Sequence, residues 1–335
     1  MLYDHVEVED GRILELHKCP FCYGHSLCND LLYKGTKLNR YNIGFEDSLL
    51  NTYFLQNILN IKNVFFALDS YSGQKMVIKK LAHSSELDEF DQNEKMCVKN
   101  ENSCLNKAIK LYGEIIKRKF NQKSFQTLSN FLGIDFGRCF SSRLIDLMYK
   151  GYFLTYSKSM ENLEDFYDHN LALLTILKIN PEPIVLQILP KKDGWPFPEF
   201  FGSCGRIIVE SLEDKTIDQY YNSPFQMRIK IAKRLLEAIK ELEYNKFDIG
   251  VYLLDLGLEN ISYDEQNDKI YFIDAENVFL VDKLKIKAEH GEDFENLLNS
   301  DFEECGQYGD CLSFNLDKMC ESTQVDLNIY SGLVS

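Results

Sequence analysis

Proline and glycine are scarce in this sequence, at 7 and 18 of 335 residues. That scarcity excludes a collagen-like, linker-like or low-complexity chain. Long apolar runs are absent too: none approaches the ~18 residues that a membrane-spanning helix needs. Basic charge is in deficit, with 37 Lys and Arg against 52 Asp and Glu, for a formal net charge of −15. An acidic surface disfavours nucleic acid and anionic lipid as partners, although it leaves room for a local basic pocket. The opening residues, MLYDHVEVEDG, carry no apolar signal-peptide core. What the chain does have is 45% hydrophobic residues and enough length for one large two-lobed domain or two ordinary ones.

Ten cysteines stand at Cys19, Cys22, Cys28, Cys97, Cys104, Cys139, Cys204, Cys305, Cys311 and Cys320. The even count suits a disulfide framework in an oxidising compartment. The polar, acidic N-terminus suits a cytosolic chain whose thiols are free or metal-bound. Composition leaves both open.

Periodicity and turn signals organise the chain. Ile13 to Gly35 is cysteine-rich, and Phe45 to Ile61 has helical spacing. Asn63–Leu68 and Lys75–Leu81, joined by Ser70-Tyr-Ser-Gly-Gln, read as a β-hairpin. A polar acidic stretch from Ser84 to Ser103 is followed by helical patterns from Leu105 to about Leu177. Asn180-Pro-Glu-Pro then punctuates the chain, and Ile184–Leu189 reads as a buried strand. Gly205–Glu210 reads as another. A long helix is expected next, with Ser223 as its cap and Pro224 at its first position. Gly250–Asp255 precedes a second hairpin, Ile261–Tyr263 with Lys269–Asp274. This order predicts an α+β, bilobal fold.

The chemistry-bearing pattern lies in that last region. Asp255 ends the run VYLLD, Asn260 follows five residues later, and Asp274 ends the strand IYFID. Asp, four residues, Asn, a hairpin and a second strand-ending Asp is the arrangement of a protein-kinase catalytic loop. Phosphoryl transfer needs one carboxylate to orient or deprotonate the acceptor hydroxyl. It needs a second carboxylate and an amide oxygen to hold divalent ions against the phosphates. The turn after Asp255 is expected to aim Asp255 and Asn260 into one cleft, with the hairpin returning Asp274 to the same edge. Lys79 in Met76-Val-Ile-Lys79 matches the phosphate-binding lysine of a small-lobe strand. Lys80 points to the opposite face. A lone lysine in a hairpin is usually a solvated edge residue, and a lone strand-ending Asp usually starts a turn. The joint order of all four is what carries the reading.

Beyond the pattern, the sequence resembles the divergent protein kinase domain family of the secretory pathway, in particular its "deleted in autism" branch. The resemblance rests on LHKCPFCYGHSLC, LNIKNVFFA, MVIKKL with ELDEFDQ, NPEPIVLQILP, GWPFPEFFGSCGR, YLLDLGLEN, FIDAENVFLVDK and DKMCESTQVDLNIY, and runs from about Leu16 to Tyr330. It implies a kinase-like fold with a disulfide-rich N-terminal head at 1–35. A small lobe with a helical insertion would occupy 36–210 and a large lobe 211–335. It implies the secretory lumen (Golgi) or secretion, ATP with Mg²⁺ or Mn²⁺, a luminal or extracellular protein partner, and disulfide pairing of the cysteines. Lys79 would be the phosphate lysine, Asp255 the catalytic-loop Asp, and Asn260 and Asp274 the metal ligands. Glu210 and Leu212 would offer backbone groups to adenine, and Glu114 is the glutamate expected to pair with Lys79.

Departures from a working kinase are visible as well. No G-x-G-x-x-G precedes Lys79, Leu253-Leu254 stand where His-Arg is usual, Ala275-Glu276 follow the second Asp, and no A-P-E appears. Three readings are therefore carried forward: an ATP-dependent kinase acting on a protein or glycan hydroxyl, an inactive pseudokinase that works by binding, and, on the Cys19 cluster and the polar N-terminus alone, a cytosolic zinc-containing protein. Cys19-x2-Cys22 with His17 and His25 is half of a zinc pattern without a second half. A thioredoxin-like use would need a strand-to-helix setting. The one N-x-S/T sequon, Asn260-Ile-Ser262, falls on the expected metal ligand and is expected to be unmodified.

Overall fold

The computed structural model describes residues 13–32, 38–40, 63–69, 73–92, 104–156, 163–299, 301–304, 310–313 and 315–334. Its principal elements begin with helix α1 (Cys28–Leu32) and strands β1 (Leu38–Arg40), β2 (Asn63–Asp69) and β3 (Lys75–Lys80). Helices α2 (Ser84–Gln92), α3 (Cys104–Ile116), α4 (Gln122–Leu132), α5 (Ser142–Tyr156), α6 (Leu163–Ile179) and α7 (Glu182–Ile188) follow. Next come β4 (Phe200–Cys204), β5 (Ile207–Ser211), α8 (Phe225–Glu243), β6 (Ile249–Leu253), β7 (Ile261–Asp264), β8 (Lys269–Phe272) and β9 (Val278–Asp282). Helices α9 (Lys283–His290) and α10 (Leu327–Val334) close the chain. Two compact units divide it: 1–119, 151–187 and 199–212 in the first, 120–150, 188–198 and 213–335 in the second. The expected lobes were contiguous stretches; these units interleave.

The first unit is built on an antiparallel sheet in the order β1-β2-β3-β5-β4. β2 and β3 are the hairpin read from the sequence. Gly73, at φ 71°, closes its turn by giving its N–H to Asp69 O at 2.8 Å. Met76, Val77 and Ile78 are all buried, as a central strand covered on both faces requires. The N-terminal head is welded to the β4–β5 turn. The Arg206 N–H meets Leu14 O at 2.8 Å, the Tyr23 N–H meets Gly205 O at 2.8 Å, and Cys28 is bonded to Cys204. Gly205 is at φ 60°, and a Cβ there would lie 1.7 Å from Leu14 O, so no other residue fits. Arg206 is fully buried and is held by both oxygens of Asp91 and by Phe21 O.

Ile184–Leu189, expected as a strand, lies mostly in helix α7. The Pro181 carbonyl accepts the first helical bonds from Ile184 and Val185, and the Asn180 side chain accepts the Glu182 N–H at 2.9 Å. Ile184, Val185, Leu186 and Leu189 are buried together. A helix buried on every side shows no 3.6-residue period, so a short apolar run reads the same as a buried strand. No single described helix is long and apolar enough to cross a membrane. The pair Tyr167–Ile179 and Glu182–Asp193 has the length and composition but bends by 109°. Its residues from Leu171 to Leu177 are buried inside the protein.

In the second unit, Asn121 caps α4 with a reciprocal box to Ser124, and Gly133 ends the helix in the left-handed region. Phe120, Phe125, Phe136, Phe140 and Tyr149 form an aromatic cluster beside it. β6 pairs antiparallel with β9, and every residue of both is buried. β7 and β8 form the second hairpin as read. α8 buries Ile231, Leu235, Ala238, Ile239 and Leu242 at helical spacing along one face, while Ala232 and Leu236 are exposed. Its cap is Pro224, one residue beyond the expected Ser223. Asn328 of α10 is buried and locks onto β6 by accepting the Leu253 N–H at 2.8 Å and donating to Val251 O at 2.7 Å. Cys139 is bonded to Cys320.

Candidate functional site

Lys79 lies near the end of β3, opposite Ile208 of β5 and Val64 of β2. Its Nζ is 2.7 Å from Glu182 Oε1 and 2.8 Å from Glu210 Oε1. The lysine side chain is 12% exposed and both carboxylates 2%, so the three groups form a buried ion triad. Burial works to lower the Lys79 pKa, but the two carboxylates outweigh it and hold the ammonium charged well above the ordinary lysine range. Glu182 sits in the first turn of α7 and Glu210 in the interior of β5.

The expected partner, Glu114, is elsewhere. It lies on α3, its side chain 79% exposed, and its carboxylate takes Lys117 at 2.9 Å. Glu182 takes the place given to Glu114 in the sequence reading. The signal for it was available in Asn180-Pro-Glu-Pro, where a carboxylate opens a segment too apolar to reach solvent. Glu210 was expected to offer its backbone; its side chain reaches Lys79 instead. The Leu212 N–H, expected to face adenine, is given to Lys75 O at 3.3 Å. Lys80 turns the other way, toward Glu15 at 3.3 Å.

In the second unit, two ladders gather the other predicted residues at one set of strand ends. Asp255 follows the C-terminal end of β6, which pairs with the N-terminal end of β9 through Leu253 and Val278. The ladder extends one step further, where the Leu254 N–H meets Asn277 O at 2.8 Å. Asn260 precedes β7 at the end of a short 3-10 turn, Leu258–Asn260, and its carbonyl accepts the Ile273 N–H at 2.9 Å. Asp274 follows that bond directly. Its carboxylate accepts the Glu276 N–H at 3.2 Å, which shapes the turn into β9. Asp255 is exposed, while Asn260, Asp274 and Glu276 are half-buried. The oxygens of Asn260 and Asp274 are hard donors of the kind that suit Mg²⁺ or Mn²⁺, so the residues present fit such an ion.

All six cysteines with described side chains are paired, as Cys19–Cys22, Cys28–Cys204 and Cys139–Cys320. Closing Cys19 onto Cys22 removes the thiolates that a zinc site needs. Cys97 and Cys305 lie outside the described residues, as do the side chains of Cys104 and Cys311.

Comparison with known proteins bears on the same regions. Residues 173–331 match the family described as the protein-kinase domain of FAM69. The chain is 32% identical to divergent protein kinase domain 2A of Xenopus tropicalis over 333 residues, covering 97% of this chain and 74% of that protein. It is 31% identical to divergent protein kinase domain 2A of Homo sapiens over 339 residues, with the same coverage. Divergent protein kinase domain 2B of Mus musculus is 26% identical over 302 residues, covering 86% of this chain and 66% of that protein.

Proposed function

The chain belongs to the divergent protein kinase domain family, and on that premise we propose that it transfers a phosphoryl group from ATP to a hydroxyl of a luminal or extracellular protein or glycan. The observation that carries this reading is the buried pair of Lys79 and Glu182. A lysine taken out of water and held charged by a carboxylate is costly to keep for packing alone, and a kinase uses that pair to fix the phosphate-binding cation. Lys79 would meet the phosphates, and Asp255 would accept or orient the proton of the acceptor hydroxyl. Asn260 and Asp274 would hold Mg²⁺ or Mn²⁺, whose charge, when bound, offsets that of the phosphates.

A pseudokinase that acts by binding is the second reading, and a specific observation favours it. Lys79 already has two carboxylates, and Glu210 stands where the lysine would need to release a partner to take a phosphate. The Leu212 N–H is likewise engaged with Lys75 O. A thermal-shift titration with ATP and Mn²⁺, beside an Asp274→Ala control, separates the two readings. Nucleotide at ~100 times its dissociation constant adds about 2.7 kcal/mol to a competent fold. A metal-dependent shift that the variant loses supports the kinase. No shift from well-folded protein sinks it and leaves the binding module.

We place the chain in the secretory lumen or outside the cell. The three disulfides support an oxidising compartment, and the acidic charge supports a protein or glycan partner over nucleic acid. Thiol counting on denatured native protein tests the compartment: nearly all ten thiols free would rule it out.

A further inference from the structure

The three described disulfides are unlike in span. Cys28–Cys204 and Cys139–Cys320 close loops of 176 and 181 residues, whereas Cys19–Cys22 closes one of 3. The entropy that a cross-link removes from the unfolded chain grows with loop length, so the short bridge is the weakest of the three as a staple. The head is also held without it, through Cys28–Cys204, Arg206 and the backbone bonds of Leu14 and Tyr23.

The two sulfurs of the short bridge sit in unequal surroundings. Cys22 is fully buried, while Cys19 is half-exposed at the surface of the head. A ring nitrogen of His25 lies within 4.8 Å of both sulfurs, and its Nδ1 is 3.8 Å from Cys28 Sγ. Lys18 and His17 immediately precede Cys19, with the Lys18 ammonium held 2.6 Å from Asp91. A half-exposed cysteine bonded to a buried one, with an imidazole nitrogen within 4.8 Å of both sulfurs, is a setting in which cysteines exchange. By contrast, Cys28 is 9% exposed and its partner Cys204 is fully buried, and Cys139–Cys320, which also joins a buried cysteine to a half-exposed one, closes a loop of 181 residues.

We propose that Cys19–Cys22 is an exchangeable disulfide that reacts with dithiols, with Cys19 as the attacked sulfur and Cys22 as the leaving one. A dithiol gives up one proton, and its thiolate attacks Cys19 Sγ. The Cys19–Cys22 bond breaks, a mixed disulfide forms on Cys19, and the electron pair goes to Cys22 Sγ. That sulfur takes a proton, with the His25 ring placed to relay it. The second thiol of the reagent, deprotonated in turn, attacks the reagent's own sulfur in the mixed disulfide. Cys19 leaves and is protonated. The dithiol is oxidised to a disulfide, and the pair is reduced by two electrons and two protons. The reverse sequence would oxidise a dithiol partner.

The test uses the oxidised full chain, folded and without denaturant. Protein is equilibrated with increasing dithiothreitol, the free thiols are alkylated, and each cysteine is located by mass spectrometry. Cys19 and Cys22 are expected to become alkylated at a reductant concentration at least about tenfold below that needed for Cys28, Cys204, Cys139 or Cys320. Opening of Cys28–Cys204 or Cys139–Cys320 together with or before Cys19–Cys22 overturns the proposal. Cys22→Ser is then incubated with oxidised glutathione, where Cys19 is expected to carry the glutathione adduct. In the reciprocal Cys19→Ser chain, an adduct forming as fast on Cys22 would overturn the order of attack. The first measurement needs no variant, so a variant that fails to fold leaves the proposal open to refutation.

Discussion

Lys79 and Asp274 belong to one proposed reaction, but their surroundings follow opposite rules. Around Lys79 the charges are closed off: one ammonium and two carboxylates, none more than 12% exposed, already within hydrogen-bond distance of one another. At the ends of β6, β7, β8 and β9 they are open. Asp255 is exposed, Asp274 and Glu276 are half-buried, and the Glu276 N–H given to the Asp274 carboxylate shapes the turn between them. Desolvation explains the contrast. A buried charge must bring its counter-charge with it, so the lysine site is assembled by folding itself. A carboxylate in contact with water keeps part of its hydration and depends less on any single counter-charge. The first site therefore ties function to stability, and the second separates them.

Lys79→Ala should break the comparison at its most costly point. It takes from the buried Glu182 and Glu210 the ammonium that each meets, and loss of a buried partner typically costs about 3–5 kcal/mol. Urea unfolding at pH 7 measures it, and a loss under about 1 kcal/mol would mean that the triad is solvated after all. The pH dependence has a definite sign. In the native protein the Lys79 pKa is raised, so its contribution is complete below the unfolded value of about 10.4 and is lost only as pH rises through the folded one. In the variant the two carboxylates repel, and burial favours their neutral forms. Their folded pKa values rise, so the variant should recover stability as pH falls from 7 toward about 5.

That triad also marks where sequence reading stops. The two hairpins, the long helix α8 and the place of Lys79 on its strand were legible because turns, periodicity and a strand motif are local signals. Glu182 was only half legible: a carboxylate opening an apolar run after Asn180-Pro181 is a signal for burial, but the run has no period to betray the helix that carries it. Glu114 was favoured for its place in a helical pattern, yet which carboxylate reaches a lysine is set by packing between elements 103 residues apart. The pairings Cys28–Cys204 and Cys139–Cys320 were illegible for the same reason. Asp255, Asn260 and Asp274 were brought to neighbouring strand ends by a hairpin short enough to read. The expected helix at Phe45–Ile61 and the stretch around Cys97 lie outside the described residues.

Glu210→Gln should sharpen the comparison with a smaller effect. The triad carries one more negative than positive charge. Neutralising Glu210 removes that excess and keeps the Lys79–Glu182 contact, so unfolding stability should change by no more than about 1 kcal/mol. Glu182→Gln keeps the same charge count but removes the carboxylate that meets Lys79 from the first turn of α7. If Lys79 serves phosphates, Glu210→Gln should tighten ATP binding and Glu182→Gln should weaken it, as isothermal titration would read. Equal weakening by both would show that Glu210 belongs to the nucleotide site and does not compete with it.

The smallest effect on stability is expected at Asp255, and there the argument is most exposed to refutation. An exposed carboxylate for which no ion pair is seen among the described residues contributes little to the fold, and Asp255→Asn should shift unfolding by no more than about 0.5 kcal/mol. The same change removes the only group in the open cluster assigned to the acceptor proton, so phosphate transfer should fall by about 10² to 10⁴ while ATP affinity holds. A large stability loss would mean that Asp255 is a structural turn residue, and the division between a closed lysine site and an open acidic one would fail. Unchanged transfer with unchanged stability would take Asp255 out of the reaction while leaving that division intact.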